Sequence, residues 1–303
     1  MTPALASPSR LTANLICMAS MLIWAAGLPA ADLLLKAIPP LSLTALRMSL
    51  AAAVLLPLWL ALEGGGVMAR AQWLRGIAVG GLGFGVGAYL LVFAQSRTDA
   101  VTVAIISATM PAIGIALECL LDARRLRAGL MFGLTLSLAG GLLAYGDKLG
   151  AVGFGVGALA AFTSVICFTW GSRATVAGFP ALSPIGRTTI TLTGAALVTS
   201  LAALLQIGLG GPAPDWPAIG MTEIGALAIY GIGALAISQV LWIISVGQLG
   251  IGVAALHINA APFYVMLFLY ALGGSWDWMQ VLGAAIVGLG VLIAQGLPRF
   301  NRH

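Results

Sequence analysis

The element Pro40-x6-Arg47 introduces one apolar segment of this chain, and Pro180-x6-Arg187 introduces another, five segments later. A second echo follows. The apolar segment holding Pro111 is matched 151 residues on by the segment holding Pro262. If these segments cross a bilayer, two copies offset by an odd number of crossings must point in opposite directions. That is the sequence mark of an inverted repeat, whose binding site lies between the halves near the bilayer midplane.

Composition decides whether the segments cross. Of 303 residues, 60% are hydrophobic and 8% are charged, and the mean hydropathy is +1.06. A soluble domain carries about 25% charged residues, so this chain lacks the material for a water-facing surface. It has the material for helices of about 20 apolar residues each. Its 40 glycines suit close helix packing in lipid. The pI near 9.5 does not point to nucleic acid, because the basic residues sit in short loops and form no long run. Cys17, Cys119 and Cys167 fall inside apolar segments at no disulfide or metal-ligand spacing. The first apolar stretch is too long for a signal-peptide core and reads as a mature span.

Ten spans follow: Thr12–Leu35, Pro40–Leu62, Gly76–Ala94, Ala100–Leu121, Gly129–Tyr145, Ala151–Gly171, Ser183–Leu205, Glu223–Val246, Ile251–Leu272 and Gln280–Leu297. With the N-terminus cytoplasmic, the inner side holds Arg10, Arg70, Arg75, Arg124, Arg125, Arg127, Arg173, Arg299 and Arg302. The outer side then holds Lys36, Arg97 and Lys148. This bias places both termini in the cytoplasm. Pro40 and Arg47 align with Pro180 and Arg187. Gly80, Ala104 and Pro111 align with Gly231, Ala255 and Pro262. Gly133, Gly140 and Ala144 align with Gly283, Gly290 and Ala294. The expected fold is an all-α polytopic membrane protein, with ten transmembrane helices as two inverted five-helix repeats. Residues 12–146 form the first repeat and 151–297 the second, flanked by cytoplasmic tails at 1–11 and 298–303.

The order and spacing of these elements resemble the drug/metabolite transporter superfamily in its ten-span form with two EamA-type repeats. The carrying residues are Trp24, "PPLSLTALR", "SRTDA", Pro111 and "GLMFGLTLSLAGGLLA". In the second half they are "PALSPIGR", "VGQLGIG", Pro262 and "VLGAAIVGLGVLIA". Length, span count and Trp24 are similar to those of the bacterial exporters of aromatic and other amino acids. Two departures stand out. The family often places Glu-Arg or Glu-Lys after span four, where this chain has Asp122-Ala-Arg124-Arg125. The exporters place aromatics before the span-four proline, where this chain has Ser107-Ala-Thr109-Met110. The second departure leaves room for broader amino-acid transport. The resemblance implies that spans three, four, eight and nine help line a central cavity and move.

Polar residues at mid-span are scarce, costly in lipid and inclined to face a cavity. The substrate-binding candidates are Trp24, Ser107, Thr109, Thr163, Ser164, Ser238, Gln239, Trp242, His257 and Asn259. Ser and Thr can instead bond their own helix carbonyls, and an aromatic near a span end can belong to the interfacial belt. Gln239, His257 and Asn259 have no such escape. Gly83, Gly85, Gly87, Gly231 and Gly233 each cost a helix roughly 1 kcal/mol relative to Ala. Pro111 and Pro262 remove a backbone donor. Together these residues form the hinge set, with close helix packing as the competing explanation for each glycine. Arg47, Arg187 and Glu118 are read as structural charges, the arginines seven residues inside their spans and Glu118 ion-paired with Arg124 or Arg125.

Much is excluded. Two histidines cannot supply a hydrolytic triad, and the glycine run at 80–87 has no preceding strand to make a nucleotide loop. No acid lies between Thr12 and Ala31, where small proton-coupled members of the superfamily carry a Glu. The expectation is a non-enzymatic, cofactor-free exporter of small zwitterionic metabolites, above all amino acids, acting as a monomer in the cell inner membrane. A multidrug permease is the alternative, and a non-transporting scaffold or sensor the third reading.

Overall fold

The computed structural model describes residues 9–97, 103, 106–143, 155–271 and 273–296. Residues 1–8 and 297–303 of the tails, the "TDA" of the turn before span four, Ala104, Ala144 and Lys148 lie outside the described residues, and with them Arg299 and Arg302. All regular structure among the described residues is helical. This is the expected outcome for a chain whose backbone donors and acceptors meet no water in the hydrocarbon layer.

The helices are α1 (Arg10–Leu34), α2 (Pro40–Glu63) and α3 (Trp73–Arg97). Then come α4 (Met110–Leu121), α5 (Ala128–Leu143), α6 (Val156–Gly178) and α7 (Pro184–Gly208). The last are α8 (Met221–Leu249), α9 (Ile251–Ala271) and α10 (Trp278–Ala294). Six of them, α1, α2, α3, α7, α8 and α9, are long and apolar enough to cross a membrane. The shorter α4, α5 and α10 are also apolar. α6 runs 23 residues and continues to Gly178, beyond the expected end at Gly171.

Local chemistry corrects the opening motif. Pro40 is the first residue of α2, where its missing N–H costs nothing. Pro180 lies in a turn, and α7 begins four residues later at Pro184. Ser183 caps that start, accepting from the Gly186 N–H at 3.1 Å. A serine cap followed by proline outcompetes Pro180 as a helix start. Arg187 therefore sits in the first turn of α7, not seven residues deep.

The prolines of the second echo also start helices. Pro111 lies in the first turn of α4, after a turn at Ala108–Thr109. In α9 the α-helix stops at Leu256, tightens to a 3-10 turn over His257–Ala260, and resumes at Ala261 just before Pro262. Both segments are broken at their prolines, where the sequence suggested only kinks. The glycine-rich segments widen: α3 is π-helical over Gly80–Val86, and α8 over Ile229–Ile237.

α1 packs along α8, α3 along α6, α2 along α7, α4 along α9, and α5 along α10. The core runs through these interfaces and includes Met48, Phe84, Leu192, Trp242 and Leu256. The α5–α10 crossing is close to backbone contact. A β-carbon on Gly133 would stand 2.4 Å from the Gly290 carbonyl oxygen, and one on Gly140 2.6 Å from that of Gly283.

Candidate functional site

The two π-helical segments sit where helices of the chain's halves meet. Ser164 of α6 donates its hydroxyl to the carbonyl of Gly87 at 2.6 Å. Ser20 of α1 donates to the carbonyl of Ser238 at 2.8 Å, and Ser238 returns a bond to the Ser20 carbonyl at 3.1 Å. Each acceptor, Gly87 or Ser238, is the first residue beyond its π-helical segment. One turn away the backbones close on each other. A β-carbon on Gly83 would lie 2.6 Å from the Gly171 Cα, and one on Gly27 would lie 2.5 Å from the Ala234 Cβ. The donors Ser20 and Ser164 are 144 residues apart, as are Gly27 and Gly171. Gly87 and Ser238 are 151 apart, as are Gly83 and Ala234.

Packing accounts for most of the hinge glycines. Gly83 meets Gly171, and a β-carbon on Gly231 would meet Leu50 at 2.9 Å. At Gly85 and Gly87 the nearest atoms, on Thr199 and Cys167, would stand 3.3 and 3.2 Å away. Gly233 differs, with no atom within 4 Å of a β-carbon there. Its contribution is backbone freedom inside the π-helical segment.

The polar candidates separate into two groups. Ser107 bonds the Val103 carbonyl, Thr109 that of Ile106 and Thr163 that of Leu159, each spent on its own chain. Thr163 also lies beside the exposed Leu159, Phe162 and Ile166. The adjacent Ser164 is buried and turned toward α3. The second group lies in or against the core, and Trp242 and Asn259 link helices. Trp242 donates its indole N–H to the Ser172 hydroxyl at 2.9 Å. It continues an aromatic ladder, 6.2 Å from Phe168, which is 5.4 Å from Phe84. Asn259 donates to the Ser137 hydroxyl at 3.0 Å, and Ser137 donates to the Leu256 carbonyl at 3.1 Å. His257 turns Nδ1 to the Ala254 carbonyl at 3.2 Å. Trp24 is half-buried and packs against the same core.

Among the candidates, the buried amide atoms Gln239 Nε2 and Asn259 Oδ1 have no hydrogen-bond partner, as is also true of Gln206 Oε1 and Gln280 Oε1 elsewhere in the described residues. An amide presents both donor and acceptor, and leaving one buried and unmatched costs about 1–3 kcal/mol. Gln239 and Asn259 are the candidate positions at which a polar ligand gains most. Sequence reasoning missed Ser20, Ser137 and Ser172, together with the ladder residues Phe84 and Phe168. The 144-residue separation of Ser20 and Ser164 was a usable signal, whereas Ser137 and Ser172 carried none.

The structural charges behave differently from one another. The Arg47 guanidinium is buried, bonds the Tyr230 hydroxyl and stacks over that ring at 4.1 Å from its centroid. Arg187 folds back, donating to the carbonyls of Phe179 and Pro180 at 2.8 and 3.1 Å. Glu118 pairs with Arg124 and accepts the Gly252 N–H at 3.2 Å. The turn before it needs Gly250, whose φ is +79° and whose β-carbon would fall 2.4 Å from the Glu118 Oε1. Asp122 pairs with Arg173, whose hydrogen bonds hold its carboxyl below the usual carboxylate range. That tie is in place above the ordinary carboxylate pKa and is lost only as pH falls through the lowered value. The Asp122–Arg173 pair ties the end of α4 to α6, and the Glu118–Gly252 bond ties it to the start of α9, on one face.

No curated protein matches the chain. A solved structure described only as a crystal structure of a protein is similar to it, with a TM-score of 0.77 at 24% identity. The likeness covers 94% of this chain and 97% of that one, and it concerns the fold. Its spanning helices and the family match below make the chain a multi-pass membrane protein. Residues 11–146 match the model of the EamA-like transporter family, so the first half of this chain carries an EamA-like transporter domain.

Proposed function

We propose that the chain is a ten-span transporter of two inverted five-helix repeats, which exports small zwitterionic metabolites by alternating access. The observation that carries this reading is the pair of matched junctions at the π-helical segments. The same donor separation and the same acceptor separation recur at Ser20/Ser238 and Ser164/Gly87, and again at Gly27/Ala234 and Gly171/Gly83. The α5–α10 crossing supports it. Gly133 meets Gly290 and Gly140 meets Gly283, the crosswise pattern of a two-fold relation. Wide, glycine-rich turns at symmetric places are suited to rocking one half against the other.

Amino acids are the proposed substrates. A zwitterion needs a donor for its carboxylate and an acceptor for its ammonium, and the Gln239 and Asn259 amides supply both without a net charge. The aromatic ladder and Trp24 offer apolar surface for the side chain. The Asp122–Arg173 pair and the Glu118–Gly252 bond join helices on one face, read here as the cytoplasmic one by the arginine bias, and opening that face breaks them. The inner membrane and a functional monomer complete the proposal.

Counterflow in liposomes tests it, with labelled threonine, methionine and phenylalanine against a lipophilic cation. Amino-acid flux that falls at least ten-fold in Asn259→Ala and Gln239→Ala, with folded protein retained, is expected. Cation flux without amino-acid flux would transfer the assignment to the multidrug reading, for which the aromatic ladder is the favouring feature. No flux of either kind rejects transport of these classes.

A further inference from the structure

On the face that carries both ends of the described chain, four arginines converge on a single cavity of about 450 Å³. Arg10 comes from the start of α1, and Arg124, Arg125 and Arg127 come from the α4–α5 connection. A bias of positive charge toward one membrane face explains why arginines lie on this face. It does not explain their gathering around one cavity, when Arg70 and Arg75 of the same loop system lie away from it. Only Arg124 has a counter-charge, in Glu118. Arg10 donates to the Gln295 carbonyl at 2.9 Å. Among the described residues no carboxylate lies within 4.0 Å of Arg10, Arg125 or Arg127.

Three uncompensated guanidiniums around one space repel one another unless an anion joins them. Guanidinium forks match the paired oxygens of a phosphate group. The first turn of α5 borders the same cavity through Leu130, so a helix N-terminus adds its own partial positive charge. Leu130, Leu249 and Val253 also line the cavity, beside Gln248 and Gln295. Leu11 and Leu126, each adjacent in sequence to a cavity arginine, are 68% and 58% exposed. Phosphate-matching charge beside exposed leucines is the chemistry of a phospholipid site at headgroup depth.

We propose that this cavity binds a phosphate group and that an acidic phospholipid presents it. The site is separate from the substrate residues, and its test does not depend on transport. Purified full-length protein in neutral detergent is captured on beads and offered tritiated phosphatidylglycerol or phosphatidylcholine, with and without millimolar inorganic phosphate. Phosphatidylglycerol is expected to bind at least ten-fold more tightly than phosphatidylcholine. The double variant Arg125→Gln/Arg127→Gln should weaken it about twenty-five-fold, or about five-fold per arginine near a membrane surface. Arg70→Gln/Arg75→Gln, with the same charge change elsewhere on the face, should leave it within two-fold. Should the glutamine pair fail to fold, Arg125→Lys/Arg127→Lys keeps the charge and loses the fork, and a several-fold weakening is expected. If inorganic phosphate binds and phosphatidylglycerol does no better than phosphatidylcholine, the phosphate comes from a soluble compound. Equal binding of both lipids with no effect of phosphate, or equal losses in the two glutamine pairs, overturns the proposal.

Discussion

The two junctions at the π-helical segments follow one plan and are tied with different strength. At the α1–α8 junction two serines exchange hydroxyl-to-carbonyl bonds, at 2.8 and 3.1 Å, and Ala234 packs over Gly27. At the α3–α6 junction a single hydroxyl, that of Ser164, bonds a glycine that can return nothing, and glycine packs on glycine. The first arrangement has redundancy. The second gains a closer approach of backbones and an edge-on Phe84–Phe168 contact, but among the described residues it has one hydroxyl bond. A repeat can therefore preserve the places of contact while loading them unequally, and the α3–α6 junction is the more pliant of the two.

The comparison can be broken most forcibly at Gly83. Gly83→Ala pushes a methyl to 2.6 Å from the Gly171 backbone and should cost about 1–3 kcal/mol by overpacking. Ala234→Gly at the matching place should cost only about 1 kcal/mol, through helix propensity. Melting of the purified variants ranks them, and a reversed order would remove the idea that the α3–α6 junction relies on contact. Next comes Ser164→Ala, which deletes the only hydroxyl bond of its junction and should cost about 1 kcal/mol, within the range for interhelical bonds in membranes. Ser20→Ala should cost about half as much, because the Ser238 hydroxyl still reaches the carbonyl at position 20. Equal losses in these two variants would show that the returned bond carries no weight. The smallest effect is expected from Gly87→Ser, which copies Ser238 onto the weaker junction. Its β-carbon would meet the Cys167 Cβ at 3.2 Å, which requires Cys167 to shift slightly, so the net change should be within about 0.5 kcal/mol. Slower amide exchange in α3 together with slower counterflow is the expected signature, and unchanged exchange would argue against a hinge there.

Much of the fold was legible in the chain because lipid permits so few solutions. Apolar runs of spanning length had to be helices, and most of their ends fell within a few residues of expectation. Pro40 marked its helix start, whereas Pro180 misled, because Ser183 and Pro184 form the better start. The glycines of α3 and α8 advertised pliancy, but not the close approach of Gly171 to Gly83 and of Leu50 to Gly231. The polar candidates were legible only in part. Residue type singled out Gln239 and Asn259, yet Ser107, Thr109 and Thr163 share the depth of the site and spend their hydroxyls on their own helices.

By itself the sequence determined the solvent of the fold, its helical class, the paired motifs and the short supply of polar side chains, since each follows from composition and spacing. Only the tertiary structure decided partners. It set Arg47 on Tyr230 and turned its counterpart Arg187 back on its own loop. It joined Ser20 to Ser238 across 218 residues and left the Gln239 and Asn259 amide atoms unmatched. The reason is physical. The hydrophobic character of a segment is a sum over its own residues, whereas a hydrogen bond or a backbone approach is fixed by the position of a second helix, which no local pattern encodes.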